Sequence, residues 1–111
     1  MPAASPDAFL KACPSRALLA RLAEKWSLLV LVALRGEPQR FGALRRRVEG
    51  VSQKMLTQTL RMLEEEGLVS RTLFDEMPLR VEYALTAKGR GLLPMVADLK
   101  AWTEANYDRD L

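Results

Sequence analysis

The stretch SQKMLTQTLRMLEEEG, residues 52–67, decides how this chain folds. Leu56, Leu60 and Leu63 recur at spacings of four and three, with Met55 and Thr59 beside them, which marks the inner stripe of a helix over residues 53–66. Ser52 stands where an N-cap belongs and Gly67 where a helix stops. Gln53, Lys54, Thr57, Gln58 and Arg61 fall at i, i+1, i+4, i+5 and i+8, so they share one outer face. That face is made of hydrogen-bonding side chains and contains no acid. Glu64, Glu65 and Glu66 gather at the far end.

A polar helix face is often no more than solvated surface, and its neighbours give this one a chemistry. Between Arg40 and Arg61 there are six basic residues (Arg40, Arg45, Arg46, Arg47, Lys54 and Arg61) and one acid, Glu49. Gln can pair with adenine N6 and N7, Arg with guanine O6 and N7, and Thr with polar base edges or the thymine methyl. Arg and Lys flanking such a helix supply the phosphate contacts that carry affinity and set register. Double-stranded DNA is the expected partner. The expected contacts are Arg40, Arg45, Arg46, Arg47, Ser52, Gln53, Lys54, Thr57, Gln58 and Arg61.

Working upstream, Phe41, Leu44 and Val48 predict a short helix, and Glu49-Gly50-Val51 is a tight turn leading into Ser52. Together these read as a helix-turn-helix pair. The run LLVLVAL, residues 28–34, fits a buried strand or a buried helix by pattern; its Leu and Ala content and the stop at Gly36 favour the helix. Ser15 is expected to cap a helix running to about Glu24, with Leu18, Leu19 and Leu22 on one side. Pro14 separates it from a short amphipathic piece over residues 7–12, which can form a helix of its own, and residues 1–6 read as a flexible arm.

Downstream the period changes to two. Val69, Arg71 and Leu73 alternate with Ser70 and Thr72, and Val81, Tyr83 and Leu85 alternate with Arg80, Glu82 and Ala84. A hairpin over residues 68–85 follows, with Asp75-Glu-Met-Pro-Leu79 at its tip. Arg80 is placed either to reach phosphate or a narrow groove, or to pair with the tip acids Asp75 and Glu76, which themselves repel phosphate. Thr86 can cap a last helix over residues 87–107. Pro94 is expected to kink that helix or mark its true start. Leu92, Val96, Leu99 and Trp102 form a stripe suited to a helix-pairing seam, and hence to a dimer interface. The fold class is α+β and mainly helical: one winged helix-turn-helix domain over residues 1–111, with a two-stranded hairpin wing and terminal dimerisation helices.

Composition narrows the function classes. Seventeen basic against fourteen acidic residues give a net charge of +3, a mild bias towards acidic partners. The chain has no histidine and one cysteine, Cys13, which removes the commonest general base and the usual zinc ligands. With no Gly-rich phosphate loop either, no enzyme activity, metal or cofactor is expected. No apolar run reaches the roughly 18 residues of a membrane span, and the start lacks a secretory pattern. A cytoplasmic protein with no membrane partner is expected. Lys11 and Arg16 lie close to Cys13 and can lower its pKa, which makes it a redox-sensing candidate; the alternative is a small packed residue.

Cys13-Pro14, Lys25-Trp26-Ser-Leu-Leu, Arg40-Phe41-Gly-Ala-Leu-Arg45, Val51-Ser52-Gln-Lys-Met-Leu-Thr57, Leu60-Arg-Met-Leu-Glu64, Glu66-Gly67-Leu-Val and Arg80-Val81-Glu-Tyr83-Ala-Leu-Thr86 closely resemble the HxlR family, a branch of the MarR-like winged-helix regulators. The resemblance runs from about Cys13 to Trp102. It implies a homodimer held by its terminal helices on a pseudo-palindromic operator, with residues 52–66 as recognition helix and 72–83 as wing. It also implies that Cys13 occupies a position at which some members sense electrophiles or oxidants. Two departures stand out: Ala23-Glu24 replaces a frequent glycine pair, and Leu79 replaces a frequent second proline at the wing tip. The competing function is a winged-helix module that binds protein without DNA.

Overall fold

The computed structural model describes residues 5–108. Five helices and one antiparallel hairpin follow in the order α1 (Pro14–Leu22), α2 (Ser27–Ala33), α3 (Phe41–Arg47), α4 (Gln53–Glu65), β1 (Val69–Phe74), β2 (Arg80–Leu85) and α5 (Ala87–Asn106). The expected architecture is present. Most of the expected flexible arm, residues 1–4, lies outside the described residues; Ser5 and Pro6 are exposed and irregular.

The core is where the apolar stripes converge. Val30 and Leu31 of α2, Leu44 of α3, and Leu56, Leu60 and Leu63 of α4 are almost wholly enclosed. The apolar run therefore resolves as the helix Ser27–Ala33 with Leu34 as its C-cap, since a helix turned into the centre of a small bundle buries most of its sides. Ser27, at its start, is buried and donates its hydroxyl to Arg21 O at 2.8 Å, so no polar group is left unpaired.

α4 begins as its sequence requires. Ser52 has extended backbone geometry and its Oγ accepts from Met55 N at 3.1 Å. At the other end Gly67 takes φ +74°, a conformation that costs a side-chain-bearing residue energy. The chain then enters β1, paired with β2 in the register Val69↔Leu85 to Phe74↔Arg80. A pairing with no local sequence signature joins this hairpin to the α2–α3 connection: Gln39 and Tyr83 exchange two backbone hydrogen bonds of 2.8 Å each.

Two expectations at the N-terminal side need correction. Residues 7–12 are not helical. Asp7 Oδ1 accepts from Phe9 N at 3.0 Å, and successive turns close from Leu10 N to Asp7 O and from Cys13 N to Leu10 O. An aspartate side chain satisfying the backbone in this way competes with helix formation. Ser15 is not the cap of α1. Pro14 is the first helical residue, and Cys13 takes the extended cap position that a residue before proline prefers. α1 also buries none of its residues fully: Leu19 is exposed and only Leu22 packs partly against the core.

At the C-terminal side Thr86 caps α5, accepting from Gly89 N at 3.1 Å, and the helix runs through Pro94, which marks neither its start nor its end. The expected seam divides. Val96 is 5% exposed and belongs to the core, with Leu92 packed against it, whereas Leu99 and Trp102 are 49% and 64% exposed. α2 takes up the first half of the stripe within the same chain, so Val96 is withdrawn from any interface.

Candidate nucleic-acid interface

The outer face of α4 is free. Gln53, Lys54, Gln58 and Arg61 are exposed, and among the described residues none of their side chains makes a hydrogen bond or ion pair. Thr57 is half-buried and donates its hydroxyl to Gln53 O at 2.8 Å, which keeps its lone pairs and methyl for an outside partner. Ser52 spends an acceptor on the cap. The face is held rigidly, because the opposite side of the same helix is the centre of the core.

Two of the three acids at the far end of α4 are paired. Arg21 of α1 donates to Glu66 Oε1 at 2.6 Å and to Glu65 Oε2 at 3.2 Å. α4 has no acid in its first turn and no base in its last, and Glu64 makes no ion pair among the described residues.

The arginines of α3 are exposed but do not all serve one surface. Arg40 is the N-cap residue of α3, and Arg45 and Arg46 lie in its last turn. Arg47 instead lines a cleft with Leu29, Val32 and Lys100, between α2, α3 and α5, and shares no wall with α4.

Arg80 is turned away and already occupied. Its Nε donates to Glu76 Oε1 at 2.9 Å, its Nη1 donates to Glu82, and its guanidinium lies 3.9 Å from the Phe74 ring centroid. Of the two alternatives for this residue, pairing with tip acid Glu76 is the one realised. A groove of about 370 Å³ instead separates α4 from the hairpin, lined by Thr57, Leu60, Arg61, Glu64, Arg71 and Tyr83. Arg71 was not among the expected contacts. Its signal lay in the alternation: it is a lone arginine on the otherwise apolar side of β1.

Cys13 sits half-buried before α1. Its Sγ accepts from Asp7 N at 3.3 Å and lies 3.0 Å from Ser15 Oγ. The Ser15 hydroxyl, then the backbone amides of Ser15 and Asp7, hold the thiol pKa below its ordinary value against a small effect of burial, with Arg16 N–H adding to them. The lowering therefore comes from hydrogen bonds and not from the Lys11 and Arg16 side-chain charges.

A helix-turn-helix pair whose second helix is capped and polar-faced, flanked by an antiparallel hairpin, defines a winged helix-turn-helix protein. The chain belongs to the HxlR-like helix-turn-helix family, which it matches over residues 21–111. It is 44% identical over 98 residues to the uncharacterised HTH-type transcriptional regulator YtfH of Escherichia coli (strain K12), a match spanning 88% of this chain and 78% of that one. The solved structure of YtfH from Salmonella typhimurium superposes with a TM-score of 0.85 at 42% identity, covering 92% of this chain and 91% of its own. The redox regulator HypR in its oxidised form gives a TM-score of 0.79 at 38% identity, covering 86% and 99%. Both YtfH proteins are named as transcriptional regulators, and HypR as a redox regulator.

Proposed function

We propose that this chain is a sequence-specific DNA-binding transcriptional regulator that acts as a homodimer on a pseudo-palindromic operator, with α4 in the major groove. The observation that carries this reading is the unpartnered face of Gln53, Lys54, Gln58 and Arg61 on a capped helix with no acid in its first turn. Arg61 and the glutamines read base edges, while Arg40, Arg45 and Arg46 contact phosphate.

Dimerisation is supported by apolar surface at both ends of the chain. Phe9, Leu19, Met95, Leu99 and Trp102 are all more than 45% exposed, which is costly for an isolated subunit. A second copy covering α1 and the outer side of α5 removes that surface and sets the spacing of two α4 helices, as half-site reading requires. A chromosomal partner makes the cytoplasm the place of action.

Cys13 is the proposed effector site, for an oxidant or electrophile. Its hydrogen-bonded thiol and the likeness to HypR, a redox regulator, support that role. With one cysteine per chain, oxidation joins Cys13 to a second copy or to a small thiol; the oxidant accepts two electrons as the S–S bond forms and both thiol protons are released.

The test is fluorescence anisotropy on DNA from upstream of the chain's own gene and on unrelated duplex, across a salt series. Selective binding that weakens steeply with salt is the expected result. Arg61→Ala is expected to lose about 1–3 kcal/mol on the upstream DNA and to relax the base preference at one position. Arg46→Ala should weaken both duplexes alike. Unchanged affinity in both variants rejects the assigned contacts, and oxidant-dependent release that survives Cys13→Ser rejects the sensor.

A further inference from the structure

We propose that the groove between α4 and the hairpin seats a backbone phosphate of the bound duplex, and that Arg71, not Arg80, is the wing's DNA-contacting residue. The inference rests on the DNA-binding reading and assigns a residue and a surface beyond it.

The assignment follows from strand parity. In β1, Val69 is buried against the core, so Arg71 and Leu73 share its side of the sheet. Across the ladder Arg71 is paired with Tyr83, and Val69 with Leu85, which is also buried. This is the side that faces α4, and Arg71 accordingly lines the groove with Thr57 and Arg61. Arg80 is paired with Phe74, of the opposite parity, and lies over its ring between Glu76 and Glu82. The cation nearest the wing tip is therefore neutralised on the side away from the recognition helix. Arg71 forms no ion pair among the described residues.

The groove has the composition of an anion seat. Two arginines, Arg61 and Arg71, line it beside one acid, Glu64, which ion-pairs with neither. Thr57, Tyr83 and the apolar Leu60 complete the lining. A duplex lying along the outer face of α4 runs one strand past this opening. A phosphodiester entering it accepts charge-assisted hydrogen bonds from Arg71, with no base identity involved.

The experiment compares wild type, Arg71→Met, Arg71→Lys, Glu76→Gln/Arg80→Gln and Arg61→Ala on the upstream duplex and on a random duplex of equal length. Met keeps the side-chain stem over the groove and removes the charge, and an unchanged melting temperature shows that each variant folds. Arg71→Met should weaken both duplexes by a similar factor, about tenfold, and reduce the log–log salt slope by about 0.9 per bound chain. Arg71→Lys should recover most of the loss, and the charge-balanced Glu76→Gln/Arg80→Gln pair should bind within about twofold of wild type. Wild-type affinity and slope in Arg71→Met, with Arg61→Ala still impaired, overturns the phosphate seat and leaves the DNA reading standing. Wild-type binding by both Arg71→Met and Arg61→Ala overturns the phosphate seat and the assigned contacts of α4 together, and failure of wild type to bind either duplex overturns the DNA-binding reading with them.

Discussion

Gly89 and Gly91 stand two positions apart near the start of α5, and replacing each by alanine should move stability in opposite directions. A Cβ built on Gly89 lies 2.2 Å from Leu68 O, 3.1 Å from Leu68 C and 3.3 Å from Leu85 Cδ2; one built on Gly91 meets nothing within 4 Å. Both substitutions gain about 1 kcal/mol of helix propensity. Only Gly89→Ala must open the contact between α5 and the start of the hairpin by about an ångström to reach an ordinary carbon–oxygen separation of roughly 3.3 Å. The obstacle is backbone, and Leu68 O is itself fixed by Thr86 N at 3.1 Å, so a rotamer change cannot relieve it. Overpacking of this kind costs about 1–3 kcal/mol, and an immovable neighbour argues for the upper end. Gly89→Ala should therefore be about 2 kcal/mol less stable than wild type and Gly91→Ala about 1 kcal/mol more stable. Near this chain length that corresponds to melting temperatures roughly 8 °C lower and 4 °C higher. The measurement is urea unfolding and thermal melting at one matched protein concentration, because association would otherwise enter the comparison. A Gly89→Ala variant at least as stable as wild type would refute the close approach of α5 to Leu68.

Ser52→Ala removes the hydroxyl that accepts from Met55 N and should cost about 1 kcal/mol in urea unfolding, whereas Ser52→Asp should retain most of that stability. Ser15→Ala removes the largest influence lowering the Cys13 pKa, so the midpoint of pH-dependent alkylation by iodoacetamide should move to higher pH. Lys11→Ala should leave that midpoint where it is. Replacing Leu99 and Trp102 together by Ser and Gln should weaken self-association with little change in the far-ultraviolet circular dichroism, as both side chains face outward. Sedimentation velocity showing an undiminished dimer would place the interface elsewhere.

Much of this fold is legible in local pattern because the decisive elements carry their own period. α4 announces itself through Leu56, Leu60 and Leu63 and through Ser52, and all four behave as their chemistry directs. The hairpin shows its alternation, and even the placement of Arg71 was present there as a break in an apolar series. What local pattern does not contain is which partner arrives from a distance. The Gln39–Tyr83 exchange joins segments far apart in sequence, and the residues around Gln39 have no strand-like run of their own. The stripe on α5 was periodic throughout, yet α2 covers only its first half, leaving Leu99 and Trp102 outward. Near the N-terminus Asp7 Oδ1 accepts from Phe9 N, and turns stand where the sequence offers an amphipathic helix. At the candidate interface, the free face of α4 was readable from residue type, whereas the pairing of Arg80 with Glu76 and Glu82 depends on how the tip closes.

The charges of α4 run against its own dipole. The positive end of a helix favours anions and the negative end cations, yet Lys54 sits in the first turn and Glu64 and Glu65 in the last. Each misplaced charge costs the free protein about 0.3–1 kcal/mol. Arg21 relieves part of this at one end by pairing with Glu65 and Glu66. The other end has no counterpart among the described residues. α4 is thus electrostatically unfinished in isolation, and in the proposed complex a polyanion laid across its amino terminus would supply the missing half. Folding leaves that strain in place, where it would add to the driving force for the proposed binding.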